Sequence, residues 1–138
     1  MKRNATAHWE GTVKEGKGSL TTQSTTLNNT QYSFSSRFAD GVGTNPEELL
    51  AAAHAGCFTM KLSANITEAG FTPASIDTKS TVNLDPGTGT IDKVALDVTA
   101  KVPGLNPDKF QELAKDAEAN CPVSKLFKAE ISMDARLV

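Results

Sequence analysis

Two cysteines, Cys57 and Cys121, are the residues of this chain with the widest chemical repertoire. Cys57 lies in Ala53-His54-Ala55-Gly56-Cys57-Phe58, where the flanking residues are small enough for another backbone or a small molecule to approach the sulfur. By default a cysteine in an apolar helix is an inert core residue, since free Cys is among the most buried types. Burial also raises a thiol's pKa, so reactivity requires a cation beside it. Arg37, among serines just before the helix, is the candidate cation, and its ordinary alternative is a solvated strand residue. Cys121 precedes Pro122 at a helix end, where the backbone rearranges more easily than in a helix interior. It reads equally as a resolving thiol that condenses with a sulfenic acid formed elsewhere, or as a residue packed under Val123. Glu47 precedes Cys57 on the same helix by about 15 Å of axial rise, beyond the reach of its side chain. Alone, Glu47 is a first-turn acid favoured by the helix dipole. If it serves a thiol, that thiol belongs to another subunit.

The helix carrying Glu47 and Cys57 organises the chain. Asn45 is a good N-cap, Pro46 suits the first helical position, and Glu48 stands three residues after the cap, the spacing of a capping box. Gly70 and Pro73 supply the stop, giving a helix of roughly 36 Å. From Leu49 to Met60 it is apolar almost all round, which predicts burial on every side. A chain of 138 residues has little material to surround such a helix, so a second copy is expected to cover it.

Before this helix the sequence predicts an antiparallel meander, with strands over 5–14, 19–25 and 31–38. In the third, Tyr32, Phe34, Ser36 and Phe38 share one face. After the helix come a strand over 75–84, a turn at Asp85-Pro86-Gly87, and a strand in which Val94, Leu96, Val98, Ala100 and Val102 alternate with polar residues. A second helix opens at Asn106-Pro107-Asp108, buries Phe110, Leu113, Ala114 and Ala117, and ends at or just before Cys121, because Pro122 disfavours helical geometry in its predecessor. A short helical piece over 123–127 and a final strand through Ile131, Met133, Ala135 and Leu137 complete an α+β fold of antiparallel strands and segregated helices. Length and composition fit a single domain over 1–138.

The net charge of −2 and the lack of any basic cluster beyond Lys2-Arg3 exclude the electrostatic footprint of a nucleic-acid binder. No apolar run is long enough to span a bilayer, and the N-terminus does not read as a secretory signal. The expected compartment is the cytosol, where a structural disulfide is disfavoured and any pairing of the two cysteines is transient. Two further readings are weighed. His54 and Cys57 stand at i and i+3 and, with His8 and Cys121, could in principle form a zinc set, though no Cys-x-x-Cys spacing supports it. A non-catalytic dimeric module with both cysteines merely packed is the other.

Ala7-His8-Trp9-Glu10-Gly11, Gly16-Lys17-Gly18, Thr44-Asn45-Pro46-Glu47-Glu48-Leu49, Ala53-His54-Ala55-Gly56-Cys57-Phe58 and Asn120-Cys121-Pro122-Val123-Ser124 strongly resemble the OsmC/Ohr family of osmotically induced and organic hydroperoxide resistance proteins. His8-Trp9-Glu10-Gly11 and Ala53-His54-Ala55 look like its OsmC branch. The resemblance implies two protomers intertwined around central helices in a homodimer, with active sites at the interface. It implies a thiol peroxidase for organic hydroperoxides that uses no haem, flavin or metal and is recycled by an external dithiol. Carried over, Cys57 matches the peroxidatic cysteine, Cys121 the resolving cysteine that forms a disulfide with it, Glu47 the acid orienting an activating arginine, and Arg37 that arginine. In the Ohr branch the arginine comes from the N-terminal hairpin, where this chain has Lys17. Phe38, Phe58, Met60 and Phe127 are candidates for an apolar substrate pocket.

Overall fold

The computed structural model describes residues 1–138, which form two compact units, residues 1–49 and 50–138. In the first, β1 (Ala5–Glu10), β2 (Lys17–Thr22) and β3 (Thr30–Tyr32) make an antiparallel sheet in the order β1-β2-β3. The meander is as expected, but its strands are shorter. β1 stops at Glu10 because Gly11 takes φ +89° and a tight turn follows, closed by the Gly16 N–H donating to the Thr12 carbonyl at 2.7 Å.

The third strand ends at Tyr32, and the residues expected to continue it form a short helix, α1 (Phe34–Phe38). Ser33 caps it. The Ser36 N–H donates to Ser33 Oγ at 3.2 Å and the Ser33 N–H donates to Ser36 Oγ at 2.8 Å. Such local side-chain bonds offer the backbone an alternative to a ladder. The phenylalanines read as a strand face are i and i+4 neighbours on α1, with ring centroids 4.8 Å apart.

Helix α2 (Pro46–Glu68) has the expected boundaries and ends before Gly70, which takes φ +90°. Its N-cap is as read, the Glu48 N–H donating to Asn45 Oδ1 at 2.8 Å. The reciprocal half of the capping box differs: the Glu48 carboxylate instead accepts from the Thr44 hydroxyl at 2.7 Å. No helix is long and apolar enough to cross a membrane.

In the second unit, β4 (Ser75–Asp85), β5 (Thr90–Lys101) and β6 (Glu130–Leu137) form a sheet with β5 in the centre. β4 and β5 pair antiparallel, with Ser75 opposite Lys101. β6 runs parallel to β5, with Val94 opposite Ile131, where a wholly antiparallel arrangement was expected. The reason is the connection: α3 (Pro107–Asn120) and α4 (Pro122–Leu126) carry the chain back to the end of the sheet where β5 began, and a helical crossover of this kind joins parallel strands. Val94, Leu96, Val98 and Ala100 on β5, Phe58, Leu62 and Ile66 on α2, and Phe110, Ala114 and Ala117 on α3 are buried apolar residues of this unit, together with Val102, Leu105 and Cys121. Asn65 ties α2 to α3, donating through Nδ2 to the Leu113 carbonyl at 3.0 Å and to Asp116 Oδ2 at 2.9 Å.

The first half of α2 is not buried on every side within one chain. His54 and Phe58 are enclosed, whereas Ala52, Ala53 and Gly56 face outward and Met60 is 77% exposed. A helix laid over one sheet buries one stripe, and the apolar stripe on its other side stays uncovered.

Candidate functional site

Two groups of side chains stand out, one in each unit. In residues 1–49, Arg37 in the last turn of α1 meets Glu47 in the first turn of α2. Arg37 donates through Nε to both carboxylate oxygens, at 3.0 and 3.2 Å, and through Nη2 to Glu47 Oε1 at 2.7 Å. A guanidinium held along its Nε–Nη2 edge has a fixed orientation. Nη1 makes no hydrogen bond here, so it can serve another acceptor. Glu47 is the more enclosed partner, its side chain 13% exposed against 39% for Arg37. Arg37 also stacks its guanidinium over the Phe38 ring, 5.2 Å from the centroid.

The pair is set by polar bonds around Ser36. Its hydroxyl donates to the Thr44 carbonyl at 2.8 Å, and Asn45 Nδ2 donates to the Ser36 carbonyl at 3.0 Å. The N-cap of α2 thus also fastens α1, fixing the turns that present Arg37 and Glu47. Lys17, the alternative cation, lies exposed and makes no ion pair.

Beside Arg37 is a cavity of about 250 Å³ lined by Trp9, Val13, Tyr32, Phe34, Arg37 and Phe38, with Ser33 and Pro46. Trp9 and Tyr32 meet with centroids 5.3 Å apart. Gly18, opposite Trp9 in the β1–β2 ladder, makes room for both rings, since a Cβ there would run into them. Of the four residues expected to line an apolar pocket, only Phe38 lines this one. Phe58 is fully buried in the core of residues 50–138, Met60 is exposed, and the Phe127 ring packs edge-on against His54 at 5.3 Å. Phe58 fails because, four residues from both His54 and Leu62, it falls on the buried stripe of α2.

In residues 50–138, Cys57 and Cys121 are neighbours, both reduced. Cys57 is partly open and Cys121 fully buried. Cys121, at the junction of α3 and α4, is enclosed and lies beside Cys57. Burial pushes the Cys57 thiol up, the adjacent Cys121 thiol pushes it further in the same direction, and the Val123 backbone N–H pulls it down. No lysine or arginine of residues 50–138 contributes. A thiol in this setting ionises at neutral pH only when a cation is brought to it.

The sequence reading missed how His54 is engaged. Its Nε2 is 2.8 Å from Ser124 Oγ and its Nδ1 is 3.3 Å from Ser80 Oγ, and the ring is fully buried. Burial lowers its pKa, so the ring is neutral near pH 7. Both ring nitrogens are engaged by hydroxyls, and His8 bonds Glu10 Oε1 at 3.1 Å. Three or more metal-binding side chains nowhere converge. The signal available in the sequence was the spacing alone: His54 stands three residues before one cysteine and Ser124 three after the other.

A two-unit α+β chain with adjacent thiols and an oriented arginine–glutamate pair belongs to a recognisable class. Residues 39–136 match the family model for OsmC-like protein. The chain is 48% identical over 139 aligned residues to "Peroxiredoxin OsmC" of Escherichia coli strain K12, covering 99% of this chain and 97% of that protein. It is 32% identical to "Organic hydroperoxide resistance protein-like 1" of Staphylococcus epidermidis over 70% of each chain. An OsmC-like protein of unknown function from Vibrio cholerae shares the fold with a TM-score of 0.76, at 13% identity and 99% coverage of both chains. The chain belongs to the OsmC/Ohr family.

Proposed function

We propose that this protein is a thiol-dependent peroxidase that reduces organic hydroperoxides to alcohols. The observation that carries the reading is the pairing of a partly open Cys57 with a sealed, adjacent Cys121. The names borne by its relatives, a peroxiredoxin and an organic hydroperoxide resistance protein, support the same reading. Cys57, as thiolate, attacks the distal peroxide oxygen; the O–O bond breaks, alcohol leaves, and Cys57 becomes a sulfenic acid. Cys121 then displaces hydroxide from that sulfur, the thiol proton leaving with it as water, and an external dithiol reduces the resulting disulfide.

Arg37, aligned by Glu47, supplies the cation that the Cys57 thiolate requires. Axial spacing on α2 keeps Glu47 about 15 Å from a Cys57 of the same helix. The arginine–glutamate pair therefore serves the thiol of a second subunit in a homodimer, whose formation also covers the outward stripe of Ala52, Ala53, Gly56 and Met60. The aromatic cavity beside Arg37 takes the organic part of the substrate, which favours alkyl and aryl hydroperoxides over hydrogen peroxide. The test is the intact mass of reduced protein after one equivalent of cumene hydroperoxide. Loss of two hydrogens and a Cys57–Cys121 linkage in the peptide map is expected. Unreacted thiols would refute the proposal, and efficiency with hydrogen peroxide at or above that with cumene hydroperoxide would refute the role of the cavity.

A further inference from the structure

The chemistry of Cys57 and Cys121 leaves His54 unused, yet it is among the largest fully buried side chains of residues 50–138. A neutral imidazole has one donor and one acceptor nitrogen. Both face hydroxyls, Ser124 Oγ at 2.8 Å and Ser80 Oγ at 3.3 Å, so the ring bridges the β4 strand and the α4 helix. Phe127, just past α4, closes over the same ring edge-on. α4 has only five residues, follows Cys121 directly, and has no side-chain cap at its start, where Cys121 itself occupies the N-cap position. Besides the backbone bonds of its own turn and the Val123 N–H that faces the Cys57 sulfur, α4 is held by the bond between the His54 and Ser124 side chains, which ties it to the helix that carries Cys57.

We infer that His54 and Ser124 form a clasp that keeps the Cys121 segment docked against the Cys57 helix, so that Cys121 attacks the oxidised Cys57 before a second oxidant molecule does. His54 is a positioning residue here, acting through Ser124. The inference rests on the peroxidase reading for its biological sense, but the clasp itself is testable without peroxide. In the step concerned, the Cys121 sulfur forms an S–S bond to Cys57 as the S–O bond of the sulfenic acid breaks. The two thiols together lose the two electrons that the hydroperoxide gained, and hydroxide leaves with the Cys121 proton as water. A loosened clasp slows this condensation and leaves the sulfenic acid to a second hydroperoxide, which carries it to sulfinic acid.

Ser124→Ala removes one buried hydrogen bond, a loss that corresponds to a slowing of about fivefold to tenfold where the bond holds the reactive arrangement. Ser124→Thr restores the hydroxyl, and His54→Gln keeps a donor of similar reach toward Ser124. The first measurement treats reduced protein with cumene hydroperoxide and quantifies by mass spectrometry the disulfide and the Cys57 sulfinic acid. Ser124→Ala is expected to consume the first equivalent at the wild-type rate, close the disulfide about fivefold to tenfold more slowly, and accumulate more sulfinic acid at each hydroperoxide concentration. Ser124→Thr and His54→Gln should stay within about threefold of wild type. A second measurement labels Cys57 as a mixed disulfide with thionitrobenzoate and follows release of the coloured thiol as Cys121 closes the ring, where the same slowing is expected. Wild-type closure rates in Ser124→Ala in both measurements would overturn the clasp. A wild-type protein inert to hydroperoxide would overturn the peroxidase reading, and the thionitrobenzoate release would still decide the clasp.

Discussion

Glu47→Gln is the substitution that most sharply tests whether the ion pair of the first unit takes part in the chemistry. It is nearly isosteric, keeps the helix propensity of the position, and removes one negative charge. In the native arrangement the Glu47 carboxylate accepts three hydrogen bonds from Arg37, at 2.7, 3.0 and 3.2 Å. The glutamine offers one oxygen and turns its NH₂ toward a guanidinium that can only donate. Hydrogen bonds to charged groups contribute about 1.5–3 kcal/mol each when enclosed. Arg37 is 39% exposed, and solvent weakens such pairs considerably. About 1–2 kcal/mol of orienting free energy is therefore lost, equivalent to about a fivefold to thirtyfold drop in kcat/KM for cumene hydroperoxide at pH 7 with dithiothreitol as reductant. The charge in the first turn of α2 is lost as well, which lowers stability by about 0.3–1 kcal/mol. The pH dependence of Cys57 alkylation by iodoacetamide separates the two effects. If Glu47 acts by orienting Arg37 on the thiolate, the alkylation midpoint moves to higher pH in the variant, because the thiolate has lost its cation. A folded variant with unchanged kcat/KM and an unchanged midpoint would refute this reasoning.

Four further expectations follow. Gly18→Ala places a methyl group against the rings of Trp9 and Tyr32, and it is expected to destabilise the protein by about 1–3 kcal/mol in urea unfolding, the range for overpacking, and to weaken selection for cumene hydroperoxide over hydrogen peroxide. Asn65→Ala removes two part-buried hydrogen bonds that tie α2 to α3; a loss of about 1–3 kcal/mol is expected, with the disulfide still formed after one equivalent of oxidant. Because burial lowers the His54 pKa, the unfolded chain binds a proton there that the folded chain does not. Stability from this group is complete above the ordinary histidine value and is lost as pH falls below it, at up to about 1.4 kcal/mol per pH unit, and urea unfolding of His54→Gln should lack that component. Burial and Cys121 raise the Cys57 thiol, so in Arg37→Met, where no cation offsets them, alkylation of Cys57 is expected to require pH above the ordinary thiol range.

The parts of the fold with regular apolar periodicity were legible. β5 reads as alternating residues and is found with Val94, Leu96, Val98 and Ala100 buried, and α2 and α3 begin at the Asn-Pro caps that announce them. The short helix α1 was not legible, because Tyr32, Phe34, Ser36 and Phe38 alternate like a strand, and the Ser33–Ser36 bonds that decide the matter depend on two hydroxyls turning inward. The parallel pairing of β6 is a property of the α3–α4 crossover and leaves no mark within the strand. Of the candidate site, the Arg37–Glu47 pair could be expected, but the aromatic cavity could not. It joins residues as far apart as Trp9 and Pro46 through the space left by Gly18. The His54 bridge escaped for a related reason, since a hydrogen bond across 70 positions has no periodicity to betray it.

The central claim is that Cys57 is the peroxidatic thiol and Cys121 its resolving partner, and hydroperoxide consumption by wild type, Cys57→Ser and Cys121→Ser tests it directly. With dithiothreitol and cumene hydroperoxide, wild type is expected to turn over, Cys57→Ser to be inactive, and Cys121→Ser to consume about one equivalent before stalling as the sulfenic acid. Equal consumption by all three would contradict the claim, leaving the two cysteines as packing residues.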